Sequence, residues 1–259
     1  MSYDNQAILK EFSDRQGITY PLIADPQSKI IEQFGVLNTQ ASDFMKGMAF
    51  PGFIYISTEG HIQQTFFEKD YKERYTANSV ISKLFPELAE SDVRPMAAPH
   101  LQLRLAQSDV IVGAGSRATL TVEVELPKNM HVYAPEAKGY KPIVLKLDST
   151  PELKLGPVHY PTSQTLFLPA INEKMPVFSG KFKITQDVTV SADERFIRIL
   201  FSSKNGAGKE VTLTGTLFYQ ACDDTKCFLP EKVALSWRFT AVPLDVKRSS
   251  EAIRHAGDP

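Results

Sequence analysis

The chain has 259 residues, 42% of them hydrophobic, and 29 basic residues against 30 acidic ones give a formal net charge of −1. That length holds one large domain or two ordinary ones, and a balanced charge without any basic run argues against nucleic acid as a partner. No stretch approaches the roughly 18 consecutive apolar residues of a membrane helix, and two cysteines close together, Cys222 and Cys227, are not the framework of a disulfide-stapled miniature fold.

Residues 1–86 read as mixed α and β. Asp4 can cap a first helix with Ile8, Leu9 and Phe12 on one face and Gly17 as its stop. Ile18 to Ile23 suits a short strand. Asp25-Pro26 marks the start of a second helix that buries Ile30, Ile31 and Phe34 and closes at Gly35. Phe53 to Ile56 is a continuous apolar run suited to a strand buried on both faces, and Glu59-Gly60 turns the chain into a second strand, His61 to Phe67. Thr76 then caps a last helix carrying Val80, Ile81, Leu84 and Phe85.

Residues 87–99, rich in proline, charge and small side chains, read as a linker. Beyond them period-2 alternation takes over. Leu101, Leu103 and Leu105 show it, then Leu120, Val122, Val124 and Leu126, then Ile143, Leu145 and Leu147. Val211, Leu213, Leu217 and Tyr219 repeat it, and Val233, Leu235, Trp237 and Phe239 finish it. Such strands, apolar on one face, predict an all-β antiparallel sandwich over residues 100–242. Residues 243–259 are polar and read as a frayed tail.

Two glycine motifs carry no nucleotide chemistry. Gly113-Ala114-Gly115-Ser116 follows an apolar run but leads into alternating residues, not the helix that a dinucleotide site needs, and reads as a hairpin turn. In Gly206-Ala207-Gly208-Lys209, Glu210 stands where a phosphate loop needs a hydroxyl, so this too reads as a turn. The histidines at positions 61, 100, 131, 159 and 255 show no ligand-like spacing, and neither a metal site nor a cofactor is expected.

The chemistry is therefore sought at Cys222-Asp223-Asp224-Thr225-Lys226-Cys227, in a tight turn between two strands. Turn geometry can bring the two cysteines within the roughly 4.4–6.8 Å Cα separation of a disulfide. A bridge closing so short a ring stabilises by only about 2 kcal/mol, a weak structural reason for it. Asp223 and Asp224 would raise a nearby thiol's pKa and Lys226 would lower it. The residues alone leave open both a structural pin and a reversible dithiol.

The stretch Leu217-Phe218-Tyr219-Gln220-Ala221-Cys222, followed by Cys227-Phe228-Leu229-Pro230, resembles the N-terminal, immunoglobulin-like domain of the DsbD-type thiol:disulfide interchange proteins. His131-Val132-Tyr133, Tyr160-Pro161 and Val177-Phe178-Ser179-Gly180 support the likeness across residues 100–242. It implies that Cys222 and Cys227 shuttle electrons between a thioredoxin-like or membrane electron-transfer protein and oxidised partners in the periplasm or another extracytoplasmic space. It implies partner-binding or shielding roles for Tyr219, Phe228 and Phe167, the last in a cap segment running to Lys174. Phe228 and Leu229 depart from the family's usual Tyr and Pro. The alternative is a non-catalytic interaction module with a structural bridge.

Residues 1–86 resemble the later part of a peroxiredoxin of the AhpC/TSA type, a partial thioredoxin-like fold. Tyr20-Pro21-Leu22-Ile23-Ala24-Asp25-Pro26, Phe34-Gly35-Val36 and Phe50-Pro51-Gly52-Phe53 carry that likeness. No cysteine precedes Cys222, so this segment is not a self-sufficient peroxidase; a fragment of a peroxiredoxin-type antioxidant protein is the further alternative. Pro51 falls where thioredoxin folds hold a cis proline. A truncated sheet would expose an edge, so an oligomer or another chain covering it is expected.

Overall fold

A computed structural model describes residues 1–88, 93–168, 172–203 and 207–254. It divides into two compact units, Met1–Arg74 with Leu244–Pro259, and Tyr75–Pro243.

The first unit contains α1 (Gln6–Gln16), α2 (Lys29–Gln33), β1 (Gly52–Ile56) and β2 (Ile62–Phe67). Asn5 rather than Asp4 caps α1, its side chain accepting from the Ile8 N–H at 3.0 Å. The Asp4 carboxylate instead accepts from the Ser2 hydroxyl. Gly17, at φ 63°, ends the helix as expected. Residues 18–23 form no strand; a single bridge joins Ser2 to Ala24. Asp25 does organise α2, accepting from the N–H groups of Lys29 and Ile31 at 3.0 and 2.9 Å. The helix itself begins only after Ser28 and is too short to bury Phe34 beside the buried Ile31.

β1 pairs antiparallel with β2 from Gly52↔Phe67 to Ile56↔Ile62 in a two-stranded sheet. Phe53 and Ile56 are exposed, contrary to the strand buried on both faces that the apolar run predicts. Such burial needs elements packed on both sheet faces, and over Phe53 and Ile56 that cover is incomplete. The bond before Pro51 is trans, as is every described peptide bond, so the cis expectation is not met. Phe50 N–H donates to Val36 O at 2.8 Å and Glu68 N–H to Pro51 O at 3.1 Å, continuing an extended run that the lower-energy trans isomer serves. The tail is not frayed through Arg254: Asp245 accepts from Arg15 at 3.0 Å, and Asn5 donates to Ile253 O at 3.0 Å. Its polar residues dock by hydrogen bonding; residues 255–259 lie outside the described ones.

From Arg74 to Val242 run β3 (Arg74–Tyr75), α3 (Ala77–Leu84), β4 (Arg94–Ala98), β5 (Leu101–Gln107), β6 (Ile111–Gly113), β7 (Ser116–Glu125), β8 (His131–Tyr133) and β9 (Val144–Leu147). Then come β10 (Leu153–His159), β11 (Gln164–Leu168), β12 (Glu173–Ser179), β13 (Lys181–Val190), α4 (Glu194–Phe201), β14 (Lys209–Tyr219), β15 (Ala221–Cys222) and β16 (Glu231–Val242). One sheet follows the path β10-β13-β7-β5-β4, a second β6-β16-β14-β9 and a third β11-β12-β8-β15. The alternating residues read as apolar faces are buried on β5, β7 and β14, and on β16 all but the half-buried Val233 are. Trp237 Nε1–H donates to Ala106 O at 3.1 Å and Gln107 Nε2–H to Arg238 O at 2.8 Å, tying the first two sheets together.

Three features depart from the sequence reading. Thr76 caps α3, accepting from Ser79 N–H at 3.0 Å. That helix nonetheless groups with the β-rich unit, because Thr76 Oγ1–H donates to Asp109 at 2.6 Å and Lys83 meets Asp187 at 2.8 Å. The supposed linker contains β4, paired with β5 from Arg94↔Leu105 to Ala98↔Leu101. Pro95 is tolerated there because β4 is a sheet edge. The turn at Gly113–Gly115 does lead into a strand, but β6 and β7 lie in different sheets, so it is a crossover and not a hairpin. At the other glycine motif, Gly206 lies outside the described residues. Gly208 has φ 80°, and a Cβ there would meet Ala241 O at 2.2 Å, so only glycine fits.

Candidate redox site

After β14 ends at Tyr219, a single residue separates it from β15, which pairs with β8 as Ala221↔Val132 and Cys222↔His131. The turn that follows is shaped by Asp223. Its carboxylate accepts from Thr225 N–H at 2.8 Å, Thr225 Oγ1–H at 2.7 Å and Lys226 N–H at 2.9 Å. Asp223 N–H donates to Lys226 O and Phe228 N–H to Ala221 O, both at 2.9 Å. This short ladder sets Cys222 directly opposite Cys227, and the two are joined at an S–S distance of 2.00 Å. Their Cα atoms are 3.9 Å apart, closer than the span expected from the sequence.

The bridge has a hidden side and an open side. Cys222 is 1% exposed and packs with Tyr133, Ala137, Met175 and Val177, with Tyr140 and Leu166 against them. Cys227 is exposed. The Tyr133 hydroxyl lies 3.9 Å from Cys227 Sγ, and its ring meets Tyr140 at 4.3 Å and His131 edge-on at 5.5 Å. Tyr140 O–H donates to Glu173 at 3.2 Å. Beyond Cys227, Phe228 stacks on His100 at 3.9 Å, with Lys226 Nζ 5.0 Å from the Phe228 ring centre.

The Thr225 hydroxyl, and then the backbone N–H groups, hold the Asp223 carboxyl below its ordinary range, so the turn carries a fixed negative charge. Burial pushes the Tyr133 phenol up, helped by Tyr140 and Glu173. Burial also pushes the His131 imidazole down, while Asp224 and Asp223 pull it the other way.

Of the residues singled out from the sequence, Cys222, Cys227 and Phe228 come together here. Tyr219 does not face a partner: it is 1% exposed, its O–H donates to Pro99 O at 2.7 Å, and burial drives its pKa to about 12. Phe167 lies half-exposed on β11 while its neighbour Leu166, on the opposite strand face, packs against the cysteine cluster, because side chains alternate along a strand. Residues 169–171 of the cap segment lie outside the described ones. Pro51 belongs to the first unit. The sequence reading missed His100, His131, Tyr140 and Met175. A trace of the arrangement was present in His131-Val132-Tyr133, whose alternation puts the imidazole and the phenol on one face; its pairing with β15, about ninety residues later, was not.

Residues 101–236 match the family described as "Thiol:disulfide interchange protein DsbD, N-terminal", and residues 1–65 match the AhpC/TSA family. No curated protein matches. Among solved structures, the chain is similar to the N-terminal periplasmic domain of ScsB from Proteus mirabilis, at 12% identity and TM-score 0.36 over 61% of this chain and 54% of that one. It is also similar to the Neisseria meningitidis DsbD N-terminal domain in the reduced form, at 14% identity and TM-score 0.32 over 61% of this chain and 97% of that one. The chain thus spans about half the length of the ScsB chain. The matched segment 101–236 is more than half of the chain and contains both cysteines, β8 and the β11–β12 hairpin, and the chain belongs to the DsbD N-terminal family of thiol:disulfide interchange proteins.

Proposed function

We propose that this chain exchanges disulfides with partner proteins through Cys222 and Cys227, in an extracytoplasmic redox pathway. The observation that carries the reading is the asymmetry of the bridge, with one sulfur-bearing residue buried and the other exposed. A partner thiolate attacks Cys227 Sγ in line with the S–S bond, forming a mixed disulfide and expelling Cys222 as a thiolate. A second thiol of the partner then attacks the partner's own sulfur in that mixed disulfide and releases Cys227. Two electrons have passed to this chain, which hands them to an oxidised protein by the reverse sequence. The donor is a thioredoxin-like or membrane electron-transfer protein. A setting outside the cytoplasm fits a bridge that must survive between encounters.

Within this reading, residues 100–242 are the immunoglobulin-like sandwich that carries the exchange. Residues 1–86 derive from a thioredoxin-like fold, which the AhpC/TSA match over residues 1–65 supports. With no cysteine outside the pair, that segment performs no thiol peroxidase chemistry of its own. The burial of Cys222 in an apolar cluster favours the second reading, an interaction module pinned by its bridge.

The reduction potential of the pair, from thiol quantification in graded redox buffers, separates the two. A value above about −250 mV is expected for an exchanging bridge, whereas one below about −300 mV would make it structural.

A further inference from the structure

We infer that His131 receives the sulfur released when the bridge opens, pairing with or protonating the Cys222 thiolate. The inference rests on the exchange reading and adds to it the group that handles the buried half of the bridge.

Cys222 and His131 are directly opposed across the antiparallel pair β8–β15. Opposed side chains share a sheet face, with Cβ atoms roughly 4.5–5.5 Å apart. Tyr133, two residues along β8, lies on that face too and packs against Cys222. His131 is 5% exposed, and its Nε2 is buried with no hydrogen-bond partner among the described residues. A buried polar atom left without a partner is unfavourable unless some state of the protein uses it. The oxidised bridge offers it nothing, since disulfide sulfur is a poor acceptor, whereas a thiolate is a strong one.

A cavity of about 360 Å³ adjoins the imidazole and is lined by Lys128, Asn129, Gln164, Ser179 and Asp224 among others. Lys128, Asn129 and Gln164 are exposed, so the cavity beside His131 opens to solvent. Among the described residues, the charged and titratable groups around the imidazole are Asp223 and Asp224 from the cysteine turn, Lys128 from the turn before β8, Tyr133 on its own strand and Cys222 opposite. From β12 the residue in register is Ser179, which is uncharged.

The partner's thiolate forms a bond to Cys227 Sγ, the Cys222–Cys227 bond breaks, and its electron pair stays on Cys222. That new negative charge raises the proton affinity of the adjacent imidazole. His131 takes a proton from water in the cavity and stands as imidazolium beside the thiolate, or passes the proton to sulfur. On reoxidation the imidazole removes the proton from Cys222, freeing it to attack the mixed disulfide on Cys227.

The test uses the full chain and dithiothreitol. The rate of bridge reduction is followed from pH 5.5 to 9 and divided by the dithiothreitol thiolate fraction. The wild type is expected to show an inflection from His131, and His131→Gln to lose it and slow by about tenfold or more. In parallel, the His131 ring is titrated by NMR in the oxidised and reduced wild type, and its pKa is expected to rise on reduction. An unchanged rate profile in the variant, or an unmoved titration, overturns the inference while leaving exchange intact; should the variant not fold, the wild-type titration decides. A folded wild type that resists dithiothreitol, while its urea-unfolded form is reduced, overturns the exchange reading and His131's part with it.

Discussion

The Tyr133 hydroxyl stands 3.9 Å from Cys227 Sγ, while the ring that carries it packs against Cys222, so one side chain attends both halves of the bridge. A disulfide sulfur accepts this O–H weakly and a thiolate accepts it strongly. The contact therefore favours the reduced, ionised Cys227. Tyr133→Phe should leave the oxidised fold intact and raise the Cys227 thiol pKa, slowing its alkylation at pH 7 by about fivefold, which is roughly 1 kcal/mol. Iodoacetamide rates on the reduced protein as a function of pH measure this. An unchanged profile would show that the hydroxyl does not reach the thiolate.

Because Cys222 is buried and Cys227 exposed, single-cysteine variants should behave unequally. Cys222→Ser leaves an accessible thiol and is expected to trap a mixed disulfide with a thioredoxin-like protein. Cys227→Ser leaves a buried one, expected to react with an aromatic disulfide reagent about tenfold more slowly. Equal rates would mean that the turn opens freely and that the asymmetry has no chemical consequence.

Much of the β-rich unit was legible because its strands obey period 2 with one apolar face. Leu103, Val122, Leu213 and Trp237 are buried where alternation put them. What alternation cannot reveal is which strands become neighbours. The pairing of Cys222 with His131, and the third sheet that holds them, depends on residues far apart in sequence. The turn itself was legible, since Asp223 and Thr225 are local turn formers. In the first unit the apolar run Phe53 to Ile56 misled, because a run identifies a strand without saying what covers it. Thr76 was correctly read as a cap, yet the helix's allegiance was decided by Asp109 and Asp187, which no local pattern signals.

The ion pair that holds α3 is testable. Asp187 is nearly buried and accepts from Lys83 Nζ and Thr119 Oγ1–H, each at 2.8 Å. Lys83→Met keeps the aliphatic stem but leaves the carboxylate with one neutral donor, at a cost of about 1–3 kcal/mol. The urea midpoint should fall, and amides of residues 77–84 should exchange faster. Unchanged protection of that helix would mean that Thr76 alone anchors it.

Tyr219 gives the β-rich unit a pH signature. Burial, with the Glu231 charge as a second cause, holds its folded pKa at about 12, above the ordinary value of 10. Between those values the folded protein keeps a proton that the unfolded chain has lost, so stability falls as pH rises through that window, by about 2–3 kcal/mol. Tyr219→Phe removes this slope, and loses about 1 kcal/mol at neutral pH with the bond to Pro99 O. Urea titrations at pH 8, 10 and 11.5 distinguish the two. A variant with the wild-type alkaline slope would assign that loss to other groups.

Reduction itself should leave the protein folded. The bridge closes a ring spanning five residue steps, for which chain entropy gives about 2 kcal/mol. The bridge packs in a small cluster with Tyr133, Ala137, Met175 and Val177, whereas the larger core is built from β5, β7, β14 and β16, whose apolar faces and pairings do not pass through the cysteines. Loss of about 2 kcal/mol from a unit of this size lowers Tm by about 4–8 °C. Circular dichroism melts with and without a phosphine reductant measure the shift, and the far-UV spectrum at 25 °C should be the same in both states. A protein that cycles between oxidised and reduced forms must survive both, so unfolding on reduction would count against exchange and for a structural pin.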